Sequence, residues 1–156
     1  MRNHPKIFFV RHGETDWNRD RRYQGQQDIP LNETGRAQAL RNGRVLSDFL
    51  PDIANARYIA SPLQRTRETM EIMRAELGLS PGDYETDPNL IELSYGNWEG
   101  TLQDNVAGDD PAGWAARLKD PFQWRPQAGE SYADLFGRVQ TWAAGIAQAG
   151  NFTQDC

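Results

Sequence analysis

The chain has little cysteine and little histidine. Of its 156 residues one is cysteine, Cys156, and two are histidine, His4 and His12. One cysteine excludes a disulfide within the chain and fits a reducing compartment. Two histidines, without the spacings that bring imidazoles and carboxylates together, leave no metal site to expect. No Gly-x4-Gly-Lys loop is present, so nucleoside triphosphate use has no support and no cofactor is expected. Long apolar runs are missing too. No stretch approaches the ~20 residues needed to cross a bilayer, so no membrane partner is expected. The opening run, Ile7-Phe8-Phe9-Val10, is too short for the core of a secretion signal, and no small-residue cleavage site follows it. A cytoplasmic protein is the expectation. The net charge of −5 argues against a nucleic-acid partner.

Positive charge is nevertheless clustered. Arg11, Arg19, Arg21 and Arg22 fall within twelve residues of one another. Such a cluster is either a solvated basic loop or a local field that attracts a small anion.

The pattern of elements alternates. Lys6 to Val10 reads as a strand that stops at Arg11-His12-Gly13. Asn32 reads as the N-cap of a helix carrying Ala37, Leu40, Val45 and Leu46, closed by Pro51. Ala56 to Ala60 reads as a second strand, followed by a helix capped by Ser61 with Pro62 in its first turn. That helix ends near Gly78. A third, weaker strand fits Tyr84 to Thr86. An aromatic, glycine-punctuated loop over 90–100 follows, then a helix over 109–118, and a last long helix starting at Ser131 and ending near Gly150. Strands alternating with helices predict an α/β fold with a mostly parallel sheet and right-handed crossovers. Residues 1–156 are expected to form a single domain. The last helix is followed by Asn151 to Cys156 without a return strand, so that domain is expected to be truncated at its C-terminus.

The chemistry gathers after the first strand. Ligands of open parallel sheets collect at the carboxyl ends of strands. There Gly13 allows close backbone approach, Arg11 offers a bidentate fork for phosphate oxygens, and the His12 imidazole is a competent nucleophile near neutral pH. Taken alone, these three residues fit a hydrogen-bonded structural histidine as well.

The longer stretch decides between those readings. Val10-Arg11-His12-Gly13-Glu14-Thr15-Asp16-Trp17-Asn18 resembles the opening motif of the histidine phosphatase (phosphoglycerate mutase-like) superfamily. Gln24-Gly25, then Asp28 to Gly35, then Ala37-Gln38-Ala39 match the same family in order and spacing. So do Ser61 to Thr69 and Glu92 to Gly100, and Gly129-Glu130-Ser131 resembles the segment before its last long helix. The resemblance implies a three-layer α/β/α domain with a mostly parallel central sheet, here without its last strand or strands and helix.

It also implies roles. His12 takes up the phosphoryl group, and Glu92 protonates the leaving alcohol and later deprotonates water. Arg11, Arg65 and Asn18 bind phosphate; Gln24 and Gly25 line a substrate-facing rim. Each has a plainer alternative: a surface arginine for Arg65, a turn cap for Asn18, a surface carboxylate for Glu92. Trp98, Trp114, Trp124 and Tyr95 either line the pocket or are core, and Glu130-Ser131 reads first as a helix start.

The implied activity is phosphomonoester hydrolysis through a phosphohistidine, on a small phosphorylated metabolite, with inorganic phosphate as the product partner. Phosphoglycerate mutase-type transfer is the alternative. Leu93-Ser94 stand where mutases usually carry Arg-His, which leans against it. The family also carries a second histidine, and none follows His12 here. A catalytically impaired phosphate-binding module is therefore a third reading. Sheet edges left open by a missing central strand offer a route to homo-oligomers.

Overall fold

The computed structural model describes residues 7–50 and 52–148. Two strands and six helices are built along that length: α1 (Asp16–Arg19), α2 (Glu33–Ser47), β1 (Ile59–Ala60), α3 (Gln64–Glu76), β2 (Glu85–Thr86), α4 (Val106–Asp109), α5 (Pro111–Lys119) and α6 (Tyr132–Gln148). Single 3-10 turns lie at Pro88–Leu90 and Gly96–Trp98.

The sheet is parallel and short. Ile59 pairs with Glu85 and Ala60 with Thr86, and α3 makes the connection that a parallel pair requires. Both strands are briefer than the sequence pattern suggests. Residues 7–10 of the expected first strand form no ladder among the described residues. An apolar run becomes a strand only where another backbone pairs with it. These residues lie open instead, with Phe9 84% exposed. Lys6, Pro51, Gly150 and the segment 151–156 lie outside the described residues.

Helix α2 forms where expected. Asn32 stands in extended conformation and its Oδ1 accepts from the Gly35 N–H at 2.8 Å, which satisfies one of the free donors of the first turn. Gly35, Ala39, Gly43 and Leu46 are its buried residues and share one face. Three of the four are small, so α3 approaches closely. A Cβ on Gly43 would stand 2.9 Å from Glu76 Cβ and 3.0 Å from the Met73 carbonyl oxygen. Ion pairs Arg36–Glu68 (2.6 Å) and Arg44–Glu76 (2.7 Å) flank the contact.

Helix α3 starts later than the sequence suggests. Its N-cap is Leu63, which makes no side-chain cap bond. The Asp28 carboxylate reaches in from another loop to accept from Gln64 N–H at 2.6 Å. A distant carboxylate thus replaces the local serine, and Ser61 instead offers its carbonyl to the Thr66 hydroxyl. Helix α6 begins as expected. The Ser131 hydroxyl accepts from Asp134 N–H, and the Asp134 carboxylate accepts from Ser131 N–H at 2.8 Å. The single helix expected over 109–118 is a pair, α4 and α5, broken at Asp110.

A second core is aromatic. Tyr23, Trp98 and Val106 are buried, with Tyr95, Trp114 and Trp124 packed against them. Trp98 and Trp124 have ring centroids 4.3 Å apart, and Tyr23 and Tyr95 4.7 Å. These rings serve as core, the plainer of the two readings open for them. Among the described residues no helix is long and apolar enough to cross a membrane.

Candidate active site

The loop that carries His12 is held by backbone contacts that tolerate no side chain. A Cβ on Gly13 would stand 2.2 Å from the Gly35 carbonyl oxygen, and a Cβ on Gly35 2.1 Å from that of Glu14. The His12 loop and the first turn of α2 therefore cross at backbone distance. Asn32 secures the crossing from α2's side. Its N–H donates to the Glu14 carbonyl and its amide to the Glu14 carboxylate.

His12 is half-buried, and its Nδ1 lies 2.7 Å from the Gly13 carbonyl oxygen. A carbonyl can only accept, so Nδ1 carries the proton and Nε2 presents its lone pair. Burial lowers the His12 pKa from its ordinary value. The Gly13 bond opposes that shift, the nearby Arg65 and Arg11 cations add to it, and Glu92 opposes it. The imidazole is thus kept neutral among positive charges, which is the state a nucleophile needs.

Arg65 sits in the first turn of α3 and is 1% exposed. Two backbone carbonyls hold its guanidinium, Gln27 at 2.8 Å to Nη1 and Gly25 at 2.7 Å to Nη2. Nε has no partner among the described residues although it is buried. Burial pulls the Arg65 pKa down, against the charges of Glu92, Asp28 and Glu99. An orphan N–H on a buried cation is costly unless something accepts from it. The Arg65 cation itself acts electrostatically on His12.

Gly25 contributes through its backbone. Its φ is +53°, and a Cβ there would meet Glu99 Oε1 at 2.2 Å. Glu99 joins this loop to the next, accepting from the N–H groups of Gln26 and Tyr95, each at 3.0 Å, and from the Gln27 amide at 2.9 Å. Gln24 is buried, and its side-chain oxygen bonds to the Thr15 hydroxyl. Asn18 caps α1 with Thr15 in a reciprocal pair. That bonding uses its oxygen, and its amide nitrogen has no partner among the described residues. Arg11 is exposed. Glu92 is exposed too, with Oε1 accepting from Leu93 N–H at 2.8 Å. Its charge is felt at both His12 and Arg65.

The structure thus brings His12, Arg11, Arg65 and Glu92 into one electrostatic group, with Gly25 behind Arg65. Two contributors escape a reading of the sequence. Thr69 accepts from Gly13 N–H at 3.1 Å and donates to the Arg65 carbonyl at 2.7 Å. Glu99 fixes the loop that holds Arg65. Helical spacing places Thr69 one turn after Arg65, a signal that could have flagged it; nothing comparable marks Glu99. Among the described residues no three His, Cys, Asp or Glu side chains gather as a metal site.

A neutral imidazole with a free Nε2, two guanidinium groups and a carboxylate can accept, clamp and release a phosphoryl group. The chain is 37% identical over 136 residues to a protein of Enterobacter sp. named "probable phosphoglycerate mutase", covering 86% of this chain and 60% of that one. It is 42% identical over 94 residues to an uncharacterized phosphatase of Bacillus subtilis, covering 60% of this chain and 45% of that one. A mycobacterial glucosyl-3-phosphoglycerate phosphatase solved with VO3 superposes with a TM-score of 0.75 at 30% identity, covering 89% of this chain and 65% of that one. The chain therefore spans between about 45% and 60% of the length of these curated relatives. The model of the histidine phosphatase superfamily, branch 1, matches residues 7–153, and the chain belongs to that family.

Proposed function

We propose that this chain carries the phosphoryl-accepting half-site of a phosphomonoester hydrolase, working through a phosphohistidine at His12. In the first step Nε2 attacks phosphorus, the P–O ester bond breaks, and Glu92 in its protonated form gives its proton to the departing oxygen. In the second, Glu92 takes a proton from water, the water oxygen attacks phosphorus, the P–N bond breaks, and inorganic phosphate leaves. Arg11, Arg65 and the Asn18 amide hold the phosphoryl oxygens and offset charge as it develops. Gln24 and Gly25 act by shaping this loop. The reading assigns the chain to the cytoplasm, in keeping with its single cysteine, and takes a small phosphorylated metabolite as the partner.

One observation carries the reading. A half-buried imidazole, fixed in the Nδ1–H tautomer, lies within electrostatic reach of a buried arginine whose Nε–H has no acceptor among the described residues. A phosphoryl oxygen between them would satisfy that donor and meet the nucleophile. Release of inorganic phosphate from p-nitrophenyl phosphate, lost in His12→Ala, is the expected result. Undiminished release by His12→Ala would overturn the assignment.

Mutase-type transfer is the second reading, favoured by the name of the Enterobacter relative. It keeps the first step and returns the phosphoryl group to another oxygen of the same substrate. Interconversion of 2- and 3-phosphoglycerate without phosphate release would replace the hydrolase by the mutase.

A further inference from the structure

Glu92 lies in a stretch, residues 91–95, that forms neither helix nor strand. No backbone partner holds its carbonyl among the described residues. Side chains from elsewhere hold it instead. Arg138, on α6, donates from Nη2 to the Glu92 carbonyl at 3.2 Å and from Nη1 to the Asn89 carbonyl at 2.6 Å. Gln26, from the loop that also supplies carbonyls to Arg65, donates to the same Glu92 carbonyl at 3.0 Å.

Glu130 braces both donors. Its carboxylate meets Arg138 Nε at 3.3 Å and Nη2 at 3.2 Å, takes the Gln26 amide at 3.3 Å, and accepts from Ser94 N–H at 3.0 Å. The arrangement is more than an ion pair tying a helix down. A simple pair would leave the Arg138 fork facing water, whereas here both terminal nitrogens are spent on carbonyls of the Glu92 segment. Two side-chain donors, from α6 and from the Gln26 loop, converge on the carbonyl of one residue. Planarity lets one guanidinium serve a carboxylate and two carbonyls at once, which a lysine cannot do.

We propose that Arg138, braced by Glu130, is a positioning residue that sets where the Glu92 carboxylate stands relative to His12. The inference rests on the reading of Glu92 as the proton donor, and it adds α6 to the machinery of the site. Reactions of this kind are sensitive to such placement: an error near 1 Å can cost on the order of 10²-fold in rate.

Two readouts separate positioning from mere support of the fold. The first is the titration of the His12 ring by NMR, which needs no turnover. The charges acting on that ring are Arg65 and Arg11, which lower its pKa, and Glu92, which raises it. Glu92→Gln should lower the His12 pKa further. Arg138→Met removes a cation, and by simple electrostatics that would raise it. A fall in Arg138→Met, matching the direction of Glu92→Gln, therefore means that Glu92 has moved away. Gln26→Ala, which strips the other donor from the same carbonyl and leaves α6 intact, should lower it less. The second readout is the ratio of turnover on an alkyl phosphate to turnover on p-nitrophenyl phosphate. A poor leaving group needs the proton, so Glu92→Gln and Arg138→Met should both depress that ratio, by on the order of tenfold or more.

The outcomes divide cleanly. If Glu92→Gln lowers the His12 pKa while Arg138→Met raises it or leaves it unchanged and Gln26→Ala leaves it at the wild-type value, the positioning role is wrong and Glu92 keeps its place. If Glu92→Gln itself changes nothing, Glu92 does not face the imidazole, and the proposed proton donor falls together with Arg138. A fall in all three supports the inference.

Discussion

Gly13 and Thr69 stand 56 residues apart in the chain and are joined by a 3.1 Å hydrogen bond from the Gly13 N–H to the Thr69 hydroxyl. The same hydroxyl donates to the Arg65 carbonyl at 2.7 Å. One buried oxygen therefore couples the nucleophile loop to the helix that carries the buried arginine. The bridge runs from the backbone beside His12 to the backbone of Arg65 itself.

Thr69→Val should show that coupling. It keeps the shape and removes the acceptor that the buried Gly13 N–H has among the described residues. Stranding a buried donor costs about 1–3 kcal/mol. Thr69→Ser keeps the hydroxyl and should lose less. Urea unfolding of the two variants measures the difference, and equal midpoints would show that the bridge contributes nothing.

The crossing of Gly13 and Gly35 makes a steeper prediction. The atoms that an added Cβ would meet belong to backbone, and no flexible side chain is available to yield. Gly13→Ala and Gly35→Ala should each destabilise by about 1–3 kcal/mol or more. Gly137 and Gly145 in α6 are internal controls, since a Cβ at either meets nothing within 4 Å. Their alanine variants should gain about 0.5–1 kcal/mol from helix propensity. Thermal melts that ranked all four alike would refute the crossing.

The contrast between these glycines shows what the sequence could and could not disclose. Helix α2 was legible because its cap, Asn32, is local. The start of α6 was legible for the same reason. Of the apolar residues read along α2, however, only Leu46 is buried; Ala37, Leu40 and Val45 lie exposed, and the buried face is made by Gly35, Ala39 and Gly43, whose small size gives no apolar signal. The start of α3 was displaced because its cap comes from Asp28, thirty-six residues earlier, and a local reading weighs only Ser61. Residues 7–10 carry the composition of a strand, but composition cannot supply the neighbouring backbone that makes one. His12, Arg65 and Glu92 were marked by motif. The groups that hold them, Thr69, Glu99, Glu130 and Arg138, act through carbonyls and N–H groups, which every sequence has at every position.

Protonation of His12 gives a stability signature in acid. The imidazole has a lowered pKa in the folded chain and an ordinary value of about 6.5 when unfolded. Above that ordinary value the ring is neutral in both states and contributes nothing to the pH slope. As pH falls below it, the unfolded chain takes the proton first, so stability declines until the folded value is passed. Denaturation midpoints measured across this interval should fall with pH in the wild type and fall less in His12→Ala. Identical slopes would mean that the ring titrates as freely in the fold as out of it.

Arg65 offers the sharpest test of anion binding. Its guanidinium spans two carbonyls through Nη1 and Nη2, and its buried Nε–H has no partner among the described residues. Lysine in its place keeps the charge, but a compact ammonium cannot reach both carbonyls and also present a third donor to a ligand. Arg65→Lys should weaken inorganic phosphate by about 10–100-fold, the equivalent of one charge-assisted hydrogen bond, and slow turnover by on the order of 10²–10³. Gly25→Ala should produce a milder version. Alanine is strained at φ +53° and would push against Glu99, which shifts the carbonyl that anchors Nη2 without touching the charge. Calorimetric titration with phosphate ranks the three proteins. The order wild type, Gly25→Ala, Arg65→Lys follows if the geometry of the fork decides binding. Equal affinity in wild type and Arg65→Lys would show that positive charge alone suffices, and that the carbonyl anchors serve the fold and not the ligand.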